Sequence, residues 1–162
     1  MTDARLLYLL RHATAQDAAL PLPDTDRALV PKGRRQVRQV AAFCQRQALQ
    51  PQLLLSSPVL RARQTAKSLA RQLPGCAAPQ WVEWLALHTP TAQAREGLQA
   101  TLATHDGDPW LVGHEPDLSA LAAALLGAPA RLLLKKASLT CLRLADDGPA
   151  QLLWSLPCAL MD

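Results

Sequence analysis

Apolar residues follow two rhythms along this chain. Leu6-Leu7-Tyr8-Leu9-Leu10, Leu53-Leu54-Leu55 and Trp110-Leu111-Val112 are short unbroken runs. Runs of this kind predict strands covered on both faces, as in parallel sheets. The intervening segments follow a helical period. Val37, Val40, Ala41, Cys44 and Ala48 make one stripe, predicting a helix over residues 31–49. Pro31 suits a first helical position, but Val30 offers no capping oxygen. Ala62, Ala66, Leu69, Ala70 and Leu73 make a second stripe, and a third helix is predicted over residues 91–104. Leu118, Leu121, Ala122 and Leu125 make a fourth, closed by Gly127. Residues 81–87 are predicted as a further strand. Residues 138–144 and 151–156 flank Asp146-Asp147-Gly148-Pro149 and read as an antiparallel hairpin. Residues 17–26, rich in Pro, Asp and Ala, read as a loop.

Strands alternating with helices predict an α/β fold: a three-layer α/β/α domain with a mostly parallel central sheet and the C-terminal hairpin at one side. No linker or change of composition divides the chain, so residues 1–162 are expected to form a single domain. With 162 residues, 49% of them hydrophobic, there is enough material for a core without staples. The same composition excludes global disorder, and 7 Gly with 13 scattered Pro exclude a collagen-like rod. The most apolar run stops at Arg11, far short of a membrane span, and the N-terminus lacks a signal-peptide pattern. The expected location is therefore the cytoplasm. Cys44, Cys76, Cys141 and Cys158 lack metal-ligand spacing and read as reduced thiols, several of them in the core. A net charge of +4 suits an anionic ligand. With dispersed Lys and Arg and only one Tyr and one Phe, a nucleic-acid surface is not expected.

The candidate chemistry lies at strand ends. The first strand ends in Arg11-His12, the second leads through Ser56-Ser57-Pro58 to Arg61, and the fourth ends in Gly113-His114. In a parallel sheet these ends share one edge, where open α/β sheets place their ligands. Two guanidinium groups and two imidazoles there would suit a tetrahedral anion, assisted by helix N-termini after Pro58 and Pro116. Each residue alone has a bland reading: a polar strand end, a solvated helix Arg, a satisfied core His. Their coincidence favours the pocket. No GxGxxG or GxxxxGK[ST] loop is present, and Leu118 stands where an HExxH motif would need its second His. Side chains would thus hold a phosphate, and a His could accept it covalently.

These residues resemble a known family. Leu9-Leu10-Arg11-His12-Ala13 is similar to the Arg-His-Gly signature of the histidine phosphatase superfamily, which includes cofactor-dependent phosphoglycerate mutase. Residues 56–66 resemble its second signature, and Val112-Gly113-His114-Glu115-Pro116 its third. Residues 26–33 match the loop-to-helix segment after the first. Leu134-Lys135-Lys136-Ala137 fits the small branch of SixA-type phosphohistidine phosphatases. The resemblance implies a phosphoglycerate mutase-like fold, with His12 as the phosphorylated nucleophile. It implies that Arg11, Arg61 and His114 bind the phosphoryl oxygens, and that no metal or organic cofactor is used. Two positions depart from the pattern. Ala13 replaces the superfamily Gly, which narrows backbone freedom, and Ser138 stands where the branch often has Gly.

Many superfamily members place a catalytic Glu after the second motif. Here Glu83 is the carboxylate in that stretch and the candidate general acid. A phosphohistidine leaving group can take its proton from solvent, so it needs such an acid less than an ester does. Glu115 and Asp117 are either first-turn carboxylates favoured by the helix dipole, the weightier reading, or groups that orient or assist His114. His88 and His105 read as surface residues, and Trp81, Trp84, Trp110 and Trp154 as core or core-rim packing. Lys32, Arg34 and Arg35 read as a solvated helix start that could steer an acidic partner. Three functions follow. The first is a phosphatase for a histidine-phosphorylated protein such as a phosphotransfer domain or phosphocarrier. The second is a phosphatase or mutase for a small phosphate ester. The third is a silent phospho-binding module, disfavoured because nucleophile and pocket partners are all present. Residues 75–109 leave little chain for a lid, which favours a phosphate presented on a protein surface.

Overall fold

The computed structural model describes residues 4–129 and 132–162. Six strands form one sheet in the order β3-β2-β4-β1-β5-β6. β1 (Leu6–Arg11), β2 (Leu53–Ser56), β3 (Gln80–Trp81) and β4 (Pro109–Gly113) run parallel. β5 (Leu139–Arg143) pairs antiparallel with β1, and β6 (Gln151–Leu156) antiparallel with β5. This is the expected mostly parallel sheet with a C-terminal hairpin. Alternation along β1 explains the layers. Tyr8 and Leu10 join a core with Val37, Val40 and Cys44 of α1 (Pro31–Arg46) and Ala62, Ala66 and Leu69 of α2 (Leu60–Gln72). Leu7 and Leu9 face the opposite core, with Leu98 of α3 (Thr91–Thr104) and Leu118 and Leu121 of α4 (Asp117–Leu126). Covered on both faces, the central strands need continuous apolar runs. Trp110 lies in the first core, stacked on Tyr8 with ring centroids 4.3 Å apart.

Three expectations are corrected. The helix predicted over residues 31–49 ends at Arg46. Ala48 takes a left-handed conformation (φ 54°), while Leu49 N–H donates to Cys44 O (2.8 Å) and Ala48 N–H to Gln45 O (3.2 Å). That bonding closes the last carbonyls and stops the helix. The strand predicted over residues 81–87 is only Gln80–Trp81, followed by a 3-10 turn at Glu83–Leu85. β3 is an edge strand paired with β2 alone, and β2 ends at Ser56 before the turn into α2. Beyond Val82, whose N–H donates to Ser56 O (3.0 Å), no backbone remains to extend the ladder. Trp81 is 39% exposed rather than core packing, and Arg63 and Lys67 lie over its ring.

All four cysteines are free thiols, and Cys44, Cys141 and Cys158 are buried. Among the described residues no helix is long and apolar enough to cross a membrane, and no group of three or more His, Cys, Asp or Glu could hold a metal ion.

Candidate active site

β2, β4 and β1 are neighbours, so their C-terminal ends meet at one edge. Their register continues one step beyond the strands. His12 N–H donates to Gly113 O (3.0 Å) and Ser57 N–H to Val112 O (2.9 Å). These bonds place His12, Ser57 and His114 side by side. The His12 and His114 ring centroids are 5.2 Å apart, and α2 brings Arg61 to the same point from its first turn. All three functional side chains are buried, with exposures of 5% for His12, 3% for Arg61 and 1% for His114.

The hydrogen bonds orient His12. Its Nδ1 lies 2.8 Å from Ala13 O and serves as the donor, since a carbonyl can only accept. The lone pair is thereby left on Nε2, toward which the Arg61 Nε–H points (3.4 Å). Ala13 itself is pinned: its N–H donates to Thr65 Oγ1 (3.1 Å), whose hydroxyl donates to Arg61 O (2.8 Å). Ala13 is buried and is not among the residues of positive φ, so the family's glycine is not required by this backbone. Burial pushes the His12 pKa down to about 4; the Ala13 bond opposes this, while Arg61, Arg11 and Lys136 add to it. Burial, then the charges of His12 and Arg61, push His114 down to about 3. Both rings are therefore neutral near pH 7. His114 Nε2 meets Ser57 Oγ at 2.7 Å, while its buried Nδ1 has no partner among the described residues.

Arg11 reaches the same edge. Its Nη1 donates to Leu134 O (2.8 Å), and Ala137 N–H donates to Arg11 O and His12 O (3.1 and 3.2 Å). The segment Leu134-Leu139 thus braces the end of β1. Ser138 lies there, buried, with its hydroxyl unpartnered among the described residues. Burial lowers the Lys136 pKa, and Arg11, Arg27, Lys32 and Arg61 lower it further, which places its charge in the same cationic field.

The sequence places Asp24 only within a loop. It sits in a 3-10 turn (Asp24–Asp26), and its carboxylate accepts from Arg61 Nη2 (3.1 Å) while its carbonyl accepts from Arg61 Nη1 (2.8 Å). Arg27 Nε binds the other carboxylate oxygen at 2.9 Å. Desolvation pushes the Asp24 carboxyl up, but the Arg61 bond and the Arg61 and Arg27 charges more than offset it, so it stays below its ordinary value. An acidic residue within a loop gives no sequence signal for such a contact. Ser57 and Thr65 belong to the second motif, and nothing in their sequence setting marks the contacts they make with His114 and Ala13.

Burial lowers the Arg11 pKa, and the charge of Glu115, one of the two candidate acids, opposes that shift. Glu83 is exposed in the 3-10 turn after β3 and lines a cavity of about 470 Å³ with Asp26, Leu60 and Arg63. Glu115 accepts from Ser119 N–H (3.0 Å) and from the Ser119 hydroxyl, which ties it to the start of α4. Asp117 Oδ2 accepts from His88 N–H (3.0 Å) and so fastens the turn before α3. His88 and His105 are exposed, as expected.

A basic, buried pocket with an unprotonated imidazole nitrogen can bind a tetrahedral oxyanion and accept a phosphoryl group. Comparison with known proteins gives the family and the fold. An uncharacterized protein of Picosynechococcus sp. is 38% identical over 139 residues, covering 85% of this chain and 84% of that protein. The solved structure of the protein histidine phosphatase SixA complexed with tungstate superposes with a TM-score of 0.86 at 22% identity, covering 97% of this chain and 99% of that one. A mycobacterial glucosyl-3-phosphoglycerate phosphatase superposes with a TM-score of 0.74 at 21% identity, covering 92% and 97%. Residues 7–90, which carry the Arg11-His12 and Arg61 motifs, match the family model of the histidine phosphatase superfamily (branch 1), and the chain belongs to that superfamily.

Proposed function

We propose that this protein is a phosphatase that removes the phosphoryl group from a phosphohistidine of a partner protein. The observation that carries the chemistry is His12: a buried, neutral imidazole with Nδ1 tied to a carbonyl and Nε2 facing a guanidinium. In the first step the Nε2 lone pair attacks phosphorus. The substrate's P–N bond breaks, its electron pair goes to the departing imidazole nitrogen, and that nitrogen takes a proton from solvent. In the second step water attacks phosphorus, the bond to His12 breaks, and inorganic phosphate leaves. Arg11, Arg61 and the unpartnered Nδ1 of His114 hold the phosphoryl oxygens as charge shifts between them. Ser57 serves as the orienting partner of His114.

A protein substrate is favoured by what surrounds the pocket. The chain between α2 and β4 forms a two-residue strand, one 3-10 turn and α3, and α3 packs on the sheet face through Ala94 and Leu98. Little of it is spare length for a lid that would grip the rest of a small molecule. The fold shared with a phosphatase of a small phosphate ester, and the position of Glu83 at the cavity rim, favour the second reading, hydrolysis of such an ester. Phosphate release measured side by side on a histidine-phosphorylated protein and on p-nitrophenyl phosphate separates the two. We expect the phosphoprotein to give the higher kcat/KM; an ester preferred over every phosphohistidine substrate overturns the proposal.

Asp24 acts in this scheme as a resident anion. Its carboxylate occupies the guanidinium edge that a phosphoryl oxygen needs, so substrate must displace it. Replacing Asp24 with Asn removes the competing charge. Because the Asp24 carboxylate is half exposed, inhibition by inorganic phosphate is expected to tighten only about three- to tenfold. A weaker inhibition constant in the variant would mean that Asp24 chiefly positions Arg61.

A further inference from the structure

Charge is distributed unevenly over this molecule. α1 and α2 together carry nine of the chain's 17 basic residues and none of its 13 acidic ones. The rest of the chain, with eight basic residues against all 13 acidic ones, is net negative. The two helices pack beside each other on the same face of the sheet, so the basic residues form one layer.

Within that layer lies a groove of about 270 Å³. Arg34 of α1 lines it, with Arg63, Gln64, Lys67 and Arg71 of α2, and no acidic side chain contributes. Arg63, Lys67 and Arg71 are four residues apart, so they stand on one helix face and extend about 12 Å along its axis. The groove begins at the turn of α2 that supplies Arg61. Leu60 and Arg63 line both the groove and the cavity that holds Glu83 and Asp26, and Arg61, whose Nε–H reaches His12 Nε2, is the residue next to Leu60 on that turn. The track therefore leads away from the phosphoryl site along the protein surface. Four like charges held this close repel one another; Arg63 and Lys67 lie over the Trp81 ring, but no described acidic residue pairs with Arg34 or Arg71.

We propose that this basic track on α1 and α2 is the docking surface for an acidic face of the phosphoprotein substrate, lying beside its phosphohistidine. The inference rests on the phosphohistidine reading and adds where the partner lies and what charge it carries. An acidic protein face fits better than a nucleic acid. The one exposed aromatic ring nearby, Trp81, is already covered by Arg63 and Lys67, so it offers no free platform for stacking bases. Complementary charge acts mainly on encounter and on KM, and salt weakens it.

The test uses two synthetic peptides of about 20 residues, long enough to reach from pocket to track. Each carries one phosphohistidine, flanked in one by Asp and Glu and in the other by Asn and Gln. At low salt the wild-type protein is expected to favour the acidic peptide by about tenfold or more in kcat/KM, and to lose that preference at high salt. The triple change Arg34→Glu, Lys67→Glu and Arg71→Glu is expected to abolish the preference through KM, leaving kcat and p-nitrophenyl phosphate turnover unchanged. If the triple variant does not fold, the Gln version of the same three changes carries the test. A wild-type protein that treats both peptides alike, or a preference that survives the substitutions, overturns the docking proposal alone. Binding of a polyuridine oligonucleotide but not of the acidic peptide, lost in the variant, also overturns it and gives the surface to nucleic acid. Turnover of p-nitrophenyl phosphate with neither peptide hydrolysed rejects the phosphohistidine reading, and the docking proposal with it.

Discussion

Replacing His12 with alanine is expected to abolish phosphoryl transfer, by on the order of 10⁴- to 10⁶-fold. Among the described residues no other group at this edge can take its place. His114 is the nearest imidazole, 5.2 Å away between ring centroids, but with its Nε2 accepting from the Ser57 hydroxyl, its Nδ1 carries the proton and has no lone pair to attack phosphorus. The wild-type protein, mixed with labelled substrate and quenched, should carry phosphate in a linkage stable to base and labile to acid, and the variant should carry none. The pH dependence adds a second signature. His12 must be neutral to attack, and its folded-state pKa is about 4 rather than the ordinary 6.5. Protonation below that value removes the lone pair, so activity is lost as pH falls through about 4, and kcat/KM should show no enzyme inflection near 6.5. Full activity in His12→Ala would overturn the covalent mechanism. A wild-type acid limb centred near 6.5 would show that the pocket does not desolvate this imidazole.

The sheet was legible because its central strands are covered twice. Runs such as Leu6-Leu7-Tyr8-Leu9-Leu10 have no polar face to disguise them. The motif residues at the ends of those strands were legible for the same reason: once β1, β2 and β4 are parallel neighbours, Arg11-His12, Ser57 to Arg61 and His114 share an edge. What was not legible depends on partners remote in sequence. The strand at Gln80–Trp81 stops early because β2 ends, which nothing within residues 81–87 records. Asp24 binds a guanidinium 37 residues away, from a loop whose composition fits any turn. Glu83 has the right position in the chain for an acid, yet it stands exposed at the rim while His12, Arg61 and His114 are buried together.

Arg61 and Glu83 separate the two substrate readings most sharply. Arg61 works on two fronts: its Nε–H points at His12 Nε2, and its Nη groups, now on Asp24, are the fork offered to an incoming phosphoryl group. Lysine keeps a positive charge but presents a single ammonium, which cannot serve both directions. Arg61→Lys is therefore expected to lower kcat about 100- to 1000-fold on a phosphohistidine protein and on p-nitrophenyl phosphate alike, since both transfer the same group. Glu83→Gln should behave differently. An imidazole leaving group takes its proton from solvent, so the phosphohistidine reaction should change less than about threefold. If Glu83 serves as the acid for esters, the ester reaction should fall far more, because an alkoxide is a poor leaving group without a proton. The comparison needs both variants on both substrates under single-turnover conditions, so that product release does not mask the chemical step. Loss of the phosphohistidine reaction in Glu83→Gln as severe as in Arg61→Lys would mean that the leaving nitrogen takes its proton from Glu83. The small-ester reading would then be the stronger of the two.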